Sequence, residues 1–230
     1  MQQRIGTAAK AVANGIDMDR LMEILSVEYS KWNAPVVTLV ANRGASPFEV
    51  LISTILSLRT KDEVTAEASE RLFAEAKTPE EMLNLGEERL RNLIYPVGFY
   101  PTKSKQILEI SQKIIKEHGG DVPDDIDTLL TFPGVGRKTA NLVLVEGFAK
   151  EAVCVDTHVH RISNRFGYVK TKTAEETEFA LRKKLPRKFW LNYNKMLVAF
   201  GQVVCRPISP HCSRCPVADM CRRVGVEKHR

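Results

Sequence analysis

Apolar residues recur at intervals of three to four positions through most of the chain, which is the period of an α-helix with one buried face. This pattern predicts helices over residues 19–32, 64–76, 87–94, 103–118, 158–166, 174–185 and 190–203. No stretch shows the sustained alternation of apolar and polar residues that is typical of a half-buried strand. The sequence therefore predicts an all-α fold.

Two helix starts carry complete capping signals. Residues 46–49, Ser-Pro-Phe-Glu, offer a capping serine, a proline at the first helical position and a glutamate that can close a capping box. Residues 78–81, Thr-Pro-Glu-Glu, repeat the signal before a short helix. The helix after Ser46 is apolar on nearly every side, so we expect it at the centre of the core. Residues 1–17 are expected to be weakly ordered or to form a short extra helix, and residues 35–45 to form a linker.

The stretch from residue 132 to residue 156, FPGVGRKTANLVLVEGFAKEAVCVD, contains a turn between two apolar helical segments. Gly134 and Gly136 permit a tight turn because glycine has no Cβ to clash. The backbone N–H groups of this turn and of the next helix's first turn then form an anion site, which suits a phosphate of a nucleic-acid backbone. A plain turn between two helices is the alternative, and the spacing alone does not decide between them.

Lys138 and Asp156 are the candidate catalytic residues of this stretch. Lys138 falls in the first turn of the second helix, where the partial positive charge of the helix end disfavours an ammonium group. A neutral lysine is an amine nucleophile that can form a Schiff base, although a phosphate contact is an alternative role. Asp156 precedes the helical run THVHRISNRF and is predicted to cap it. A capping aspartate that faces a cleft can also act as a catalytic carboxylate.

Composition and charge indicate a compartment and a class of partner. With 230 residues, the chain can bury a sizeable core in one or two domains. Its 34 Lys and Arg residues outnumber its 28 Asp and Glu residues, and the net charge of +6 suits a polyanionic partner. No apolar run is long enough to span a bilayer, and the N-terminal residues lack the apolar core of a secretory signal. We therefore expect an intracellular protein without a membrane partner, in the cytoplasm or nucleoid if the source is prokaryotic.

Four cysteines follow one another near the C-terminus with the spacing C-x6-C-x2-C-x5-C: Cys205, Cys212, Cys215 and Cys221. In an intracellular protein, thiols so close together favour one metal site over disulfides. A zinc ribbon usually has two C-x2-C pairs, and this sequence has one, so the spacing favours an iron–sulfur cluster over zinc without excluding zinc.

The fifth cysteine, Cys154, is expected to be a buried residue of apolar character. It alternates in sequence with Asp156, His158 and His160, which on a strand would place four metal ligands on one face. The run that follows is helical, however, and residues two positions apart on a helix diverge. The sequence therefore does not favour a second metal site there.

The sequences LTFPGVGRKTANLVL and VDTHVHRISNR closely resemble the endonuclease III branch of the helix-hairpin-helix DNA glycosylases. The resemblance extends from about Ser46 to Cys221, which is most of the chain. It implies a two-lobed fold: a helical domain over residues 39–151 that holds the helix-hairpin-helix motif, and a second helical lobe formed by residues 1–38 and 152–230.

The same resemblance implies roles for the candidate site residues. Lys138 is the Schiff-base nucleophile and Asp156 is the carboxylate that assists it. The four clustered cysteines bind a [4Fe–4S] cluster in a loop over residues 205–221, near the C-terminus. In this family the cluster is mainly structural, and it pins a basic loop against DNA. Arg206, Arg214, Arg222 and Arg223 are candidates for that basic surface, which otherwise is a solvated face.

The resemblance also implies which residues contact DNA. The expected contacts are Gly134, Val135, Gly136 and Arg137 of the hairpin, together with Arg59, Phe99 and Tyr100. An enzyme that extrudes a nucleotide must fill the gap left in the duplex, and the positions that match the filling residues are Arg59 and Phe99, with Tyr100 beside them. Many family members carry glutamine at the first of these positions, so arginine there leaves the opposite-base preference open. A packed loop is the alternative for both.

The function implied is that of a bifunctional DNA glycosylase and AP lyase of base excision repair, which removes oxidised pyrimidines through a lysine Schiff base and cuts the strand by β-elimination. The expected partner is double-stranded DNA with a damaged base or an abasic site, bound by a monomer. A monofunctional mismatch glycosylase shares the fold but lacks the lysine. A non-catalytic helix-hairpin-helix DNA-binding protein needs neither Lys138 nor Asp156.

Overall fold

A computed structural model describes residues 16–32 and 34–230. Within these residues all regular structure is helical, with eleven α-helices, two short 3₁₀ helices and no strand. The predicted all-α class is confirmed. Residues 1–15, which are most of the segment expected to be weakly ordered or to form a short extra helix, lie outside the described residues.

The α-helices are numbered in chain order. They are α1 Met18–Tyr29, α2 Val36–Asn42, α3 Pro47–Ser57, α4 Asp62–Phe73, α5 Pro79–Ile94, α6 Tyr100–His118, α7 Ile126–Leu129, α8 Arg137–Phe148, α9 Thr157–Phe166, α10 Ala174–Lys184 and α11 Trp190–Val203. The 3₁₀ helices are Arg187–Phe189 and Cys212–Arg214. Each helix predicted from periodicity is present, with ends that differ by a few residues.

The interpretation of residues 35–45 as a linker is wrong, because they contain α2. The helix is short and rich in β-branched residues, which have low helix propensity. It is stabilised by packing instead: Val36 and Val37 are buried in a cluster with Val50 of α3 and Leu142 of α8.

Helix α5 joins the two helices predicted at residues 78–81 and 87–94. Gly86 lies between them with φ of 70°, a left-handed conformation that glycine adopts without a Cβ clash, and it kinks the helix. Helix α6 begins at Tyr100, three residues before the predicted start at Lys103. It ends as predicted at Gly119, which is left-handed with φ of 64°.

The chain divides into two compact units. The first, here called the hairpin unit, spans Pro35–Cys154 and contains α2 to α8. Helix α3 lies at its centre and packs against α2, α4, α6 and α8. Its apolar residues Val50, Leu51, Ile52, Ile55 and Leu56 are fully buried. The prediction that this helix forms the centre of a core is confirmed.

The second unit, here called the cysteine unit, comprises the chain as far as Ala34 and Val155–Arg230. Helix α11 packs against both α1 and α9. The ring of Phe200 on α11 stacks on Phe166 of α9, with centroids 6.1 Å apart, and contacts Trp32 at 5.7 Å. No helix of the described part of the chain is both long enough and apolar enough to cross a membrane.

Both predicted capping boxes are present. The Ser46 Oγ atom accepts a hydrogen bond from the Glu49 N–H group at 3.2 Å, and the Glu49 carboxylate accepts one from the Ser46 N–H group at 2.8 Å. Thr78 and Glu81 form the same pair of bonds at the start of α5. The caps fix where the central helix and α5 begin.

We expect Ser46→Ala to lower the free energy of unfolding by about 1 kcal/mol, because the substitution leaves the Glu49 N–H group without its acceptor at the start of α3. Urea denaturation followed by circular dichroism measures the change. Ser46→Thr keeps a hydroxyl acceptor and is expected to remain close to the unmodified protein. Equal losses in the two variants would contradict a capping role.

Candidate functional site

The first of the two glycines in the turn between α7 and α8, Gly134, has a left-handed backbone conformation. Gly134 has φ of 75°, and a Cβ atom there would lie 2.8 Å from Nε2 of Gln106 on α6. The left-handed conformation therefore favours glycine, and a Cβ atom there would displace the end of the flexible Gln106 side chain. The adjacent Val135 is buried, and its N–H group donates to the Phe132 carbonyl oxygen at 3.1 Å. The turn is thus anchored through the side chain of its central residue.

Helix α8 begins at Arg137, and its N-cap residue, Gly136, has no side chain that could cap it. The first N–H groups of a helix have no partner within the helix. Together with the helix dipole, these groups make the start of α8 suitable for an anion such as a phosphate. The predicted hairpin geometry is therefore present.

Lys138 is the second residue of α8 and is half-buried. The Cys154 thiol lies 3.5 Å from the Lys138 carbonyl oxygen, to which it donates. Cys154 is only 1% exposed, as its expected apolar character predicts. The Cys154 thiol thus packs against the first turn of α8. The rest of the helix is buried through residues such as Ala140 and Val143.

Asp156 caps α9. Its Oδ1 atom accepts a hydrogen bond from the Val159 N–H group at 2.8 Å, and its side chain is half-buried. Asp156 is therefore the N-cap residue of α9, as its position in the sequence predicts. Lys138 belongs to the hairpin unit and Asp156 to the cysteine unit.

Two arginines of α9 hold the segment that carries the first clustered cysteine. Arg161 donates from Nη2 to the Cys205 carbonyl oxygen at 2.9 Å. Arg165 donates to the carbonyl oxygens of Arg206 and Pro207, each at 2.6 Å. Sequence reasoning did not identify this role. The available signal was the spacing of the two arginines, four positions apart on one amphipathic helix.

The histidines that alternate with Cys154 and Asp156 in sequence have protein partners. The Nδ1 atom of His158 lies 3.1 Å from Arg161 Nη2, and the Nδ1 atom of His160 lies 2.6 Å from Thr177 Oγ1. Both histidines are on helix α9, as their sequence context predicts.

The four clustered cysteines line one pocket together with apolar side chains that include Phe166, Phe200 and Val204. Burial raises the pKa of the Cys215 thiol to about 12 and also raises the pKa of Cys221. Thiolates gathered in such a pocket need a cation to compensate their charge. The Arg223 N–H group, 3.4 Å from Cys221 Sγ, is a hydrogen-bond donor to that sulfur.

The donor set is suited to a cluster. Among the described residues, no three or more His, Cys, Asp or Glu side chains are grouped so that they could hold a single metal ion. Four thiols nevertheless border one pocket. An iron–sulfur cluster takes one thiolate at each of several metal atoms, so its ligands surround it and do not converge on one point.

The structure brings Arg59 and Phe99 together. Arg59 follows the C-terminal end of α3 with φ of 53°, and Phe99 precedes α6 with φ of 59°. Both side chains are exposed, and the Arg59 guanidinium carbon lies 5.6 Å from the centroid of the Phe99 ring. Tyr100 instead packs edge-to-face on Tyr95, with centroids 5.4 Å apart, and lies 5.9 Å from the guanidinium of Arg91.

Lys103 lies beneath this pair and was not identified from the sequence. It is 4% exposed, and its Nζ atom donates to the carbonyl oxygens of Leu56 and Leu58 at 2.9 and 2.6 Å and to Thr60 Oγ1 at 3.3 Å. Burial lowers the pKa of Lys103 to about 8. A lysine in a helical pattern is ordinarily exposed, so periodicity alone gives no signal of its burial.

The chain is similar to known proteins over most of its length. A family model described as HhH-GPD superfamily base excision DNA repair protein matches residues 52–187. Endonuclease III of Thermotoga maritima is 50% identical over 180 residues, which cover 78% of this chain and 84% of that protein. A non-covalent endonuclease III–DNA complex matches with a TM-score of 0.79 at 31% identity, over 90% of this chain and 94% of that chain. A trapped endonuclease III–DNA covalent intermediate matches with a TM-score of 0.73 at 36% identity, over 77% and 84%.

We expect Lys103 to make the stability of the protein depend on pH in alkaline solution. Between pH 8 and 10.5, the folded protein has lost the Lys103 proton, whereas the unfolded chain retains it, since the ordinary pKa of lysine is 10.5. The unfolded state then binds more protons, so the free energy of unfolding rises with pH relative to that of Lys103→Met. Urea denaturation at several pH values in this window measures the difference. Lys105→Met removes an exposed lysine of the same helix and is the control. Parallel pH profiles for the unmodified protein and Lys103→Met would contradict the expectation.

Proposed function

The chain belongs to the endonuclease III family of base excision DNA repair proteins, and we propose that Lys138 and Asp156 are the catalytic residues of its DNA glycosylase and AP lyase reaction. The observation that carries the proposal is the position of Lys138. Lys138 is the second residue after the Gly-Val-Gly turn, in the first turn of a helix whose N-cap residue is Gly136. The lysine thus belongs to the same helical turn as the backbone N–H groups that suit a DNA phosphate.

The proposed reaction begins when the neutral amine of Lys138 attacks C1′ of the damaged nucleotide. The bond between C1′ and the base breaks, and the base leaves with the bonding electrons. The carboxylate of Asp156 stabilises the cationic sugar that develops in the transition state. One proton of the amine then moves to the ring oxygen O4′ as the C1′–O4′ bond breaks. The sugar ring opens, and a protonated Schiff base remains between Lys138 and C1′.

Strand cleavage follows from the Schiff base. Its positive charge acidifies the C2′ proton, and loss of that proton to a base expels the phosphate oxygen at C3′. The strand is thereby cut on the 3′ side of the lesion by β-elimination. Water then hydrolyses the Schiff base and restores the Lys138 amine.

The DNA contacts proposed for the hairpin unit separate into two kinds. Gly134, Gly136 and Arg137 bind a phosphate chiefly through backbone N–H groups. Val135 supports this turn from inside, because its side chain is buried and its N–H group donates to the Phe132 carbonyl oxygen. Arg59 and Phe99, with Tyr100 beside them, fill the gap left by the extruded nucleotide. The exposure of Arg59 and Phe99 supports this assignment, since a packed loop would bury them.

We propose double-stranded DNA that contains an oxidised or ring-saturated pyrimidine or an abasic site as the substrate, bound by a monomer inside the cell. Arginine at position 59, where many family members carry glutamine, makes this residue the first candidate for a distinct opposite-base preference. The division into a domain over residues 39–151 and a lobe of residues 1–38 and 152–230 belongs to the same proposal.

The proposed cofactor is a [4Fe–4S] cluster held by Cys205, Cys212, Cys215 and Cys221. When bound, the cluster supplies a structural cross-link and takes no part in base removal. The chain's own residues support the cross-link from α9, where Arg161 and Arg165 donate to the carbonyl oxygens of residues 205–207. A loop fixed in this way can present Arg206, Arg214, Arg222 and Arg223 to DNA.

Borohydride trapping on a duplex with one thymine-glycol site tests the nucleophile. We expect the unmodified protein to form a covalent adduct with DNA and Lys138→Gln to form none, because the amide cannot make a Schiff base. Adducts of equal yield from both would contradict the role of Lys138. Failure of well-folded, DNA-binding unmodified protein to form any adduct would favour a monofunctional glycosylase or a non-catalytic DNA-binding protein.

Asp156→Asn separates the catalytic role of this residue from its capping role. Asparagine caps a helix about as well as aspartate, so the free energy of unfolding should remain close to that of the unmodified protein. Single-turnover base release should fall by about 100-fold or more, because the negative charge opposite the cationic sugar is lost. Unchanged base release would show that Asp156 is only a cap.

Cys212→Ala is expected to abolish the broad visible absorption of the cluster and to lower the iron content of the purified protein. It should also lower the thermal midpoint, because the loop loses its cross-link. Cys154→Ala, which removes the buried cysteine outside the pocket, is the matched control and should retain iron. Zinc in stoichiometric amounts, with no iron or sulfide, would contradict the proposed cofactor.

A further inference from the structure

Two loops of the hairpin unit are packed against each other at backbone level. They are the Arg59 loop, residues 58–61, and the Phe99 loop, residues 95–99. The Gly98 N–H group donates to Thr60 Oγ1 at 3.1 Å. A Cβ atom at Gly98 would lie only 2.6 Å from the Arg59 carbonyl oxygen, so the two backbones approach as closely as glycine allows.

The Lys103 side chain binds the Arg59 loop directly and reaches the Phe99 loop through Thr60. Its Nζ atom donates to the Leu58 carbonyl oxygen and to Thr60 Oγ1 of the Arg59 loop. The Lys103 backbone N–H group also donates to the Phe99 carbonyl oxygen at 3.0 Å, which is the first helical bond of α6 and does not depend on the side chain. Thr60 Oγ1 therefore accepts two hydrogen bonds, one from the Gly98 N–H group and one from Lys103 Nζ. Since Lys103 is buried, these bonds are shielded from water and restrict the loops more than exposed bonds would.

The two residues that these bonds position have the same backbone conformation. Arg59 and Phe99 are both left-handed, which is unfavourable for residues with a Cβ atom and persists only where surrounding contacts hold it. Their side chains leave the surface side by side, with the guanidinium over the aromatic ring. The left-handed turns thus direct two large side chains to one point.

We propose that Lys103 is a positioning residue that joins the Arg59 and Phe99 loops, so that these two side chains enter damaged DNA as one composite wedge. The inference rests on the proposed function, because it requires a duplex from which a nucleotide has been extruded. The wedge fills a single gap with the Arg59 guanidinium and the Phe99 ring lying against each other. Neither side chain alone provides this stacked surface.

The test compares binding to two duplexes of equal length, one undamaged and one with a tetrahydrofuran abasic-site analogue, which needs no chemistry to form the gap. A 2-aminopurine opposite the analogue reports insertion through its fluorescence. The single variants Arg59→Ala and Phe99→Ala and their double variant measure coupling between the two side chains. Each single variant should weaken binding to the analogue duplex about 10-fold. The factor by which the double variant weakens binding should be at least about 3-fold smaller than the product of the two single-variant factors.

Gly98→Ala tests the joint between the loops without removing any side chain. We expect it to weaken binding to the analogue duplex about 10-fold and to reduce the 2-aminopurine signal, while binding to the undamaged duplex changes by less than about 2-fold, because that binding depends on phosphate contacts. Gly147→Ala is the matched control, since a Cβ atom there meets Pro47 only at 3.4 Å. Lys103→Met should behave as Gly98→Ala does, with Lys105→Met as its control.

Three results would overturn the inference. One is a double variant whose loss equals the product of the single losses. The second is equal weakening of both duplexes by Gly98→Ala, which would indicate a general structural defect. The third is a folded Lys103→Met that binds the analogue duplex as tightly as Lys105→Met does. Should Lys103→Met not fold, Gly98→Ala still tests the joint between the loops. Failure of the proposed function is distinguishable, because the unmodified protein would then give no borohydride adduct and no preference for the analogue duplex.

Discussion

The polar groups at helix ends are the constraint on which this structure depends. An α-helix leaves its first N–H and last C=O groups without partners, and an all-helical chain has many such ends. Ser46 and Thr78 satisfy two of them with side chains. The buried ammonium of Lys103 satisfies carbonyl groups at the end of α3. The N-cap residue of helix α8 is Gly136, which has no side chain to satisfy such groups. The same physical requirement therefore produces both the capped scaffold and a helix start that suits an anion.

Helix α9 shows how one element serves two tasks. Asp156 caps its first turn, and Arg161 and Arg165 bind the backbone at the first clustered cysteine. The position of the capping carboxylate and the course of residues 205–207 thus depend on the same short helix. A structural cofactor that fixes residues 205–221 would therefore also fix, through Arg161 and Arg165, the helix that Asp156 caps.

Local signals made part of this structure predictable. The glycine turn, the cap at Asp156 and both capping boxes each depend on residues within four positions of one another, so sequence suffices to predict them. Helix α2 was missed because its β-branched residues have low helix propensity and are stabilised by distant packing partners. The burial of Lys103 and the pairing of Arg59 with Phe99 depend on residues about 40 positions apart. No periodicity or motif records contacts of that kind.

The left-handed backbone at Arg59 limits which amino acids evolution or protein engineering can use at this position. At φ of 53°, valine, isoleucine and threonine are strongly disfavoured, because a branched Cβ clashes with the local backbone. Asparagine and glycine tolerate the conformation best, and unbranched side chains such as glutamine and arginine follow. A library that varies the side chain at this position therefore needs only a small set of amino acids at this codon. Residues outside that set would change the course of the loop as well as the exposed side chain.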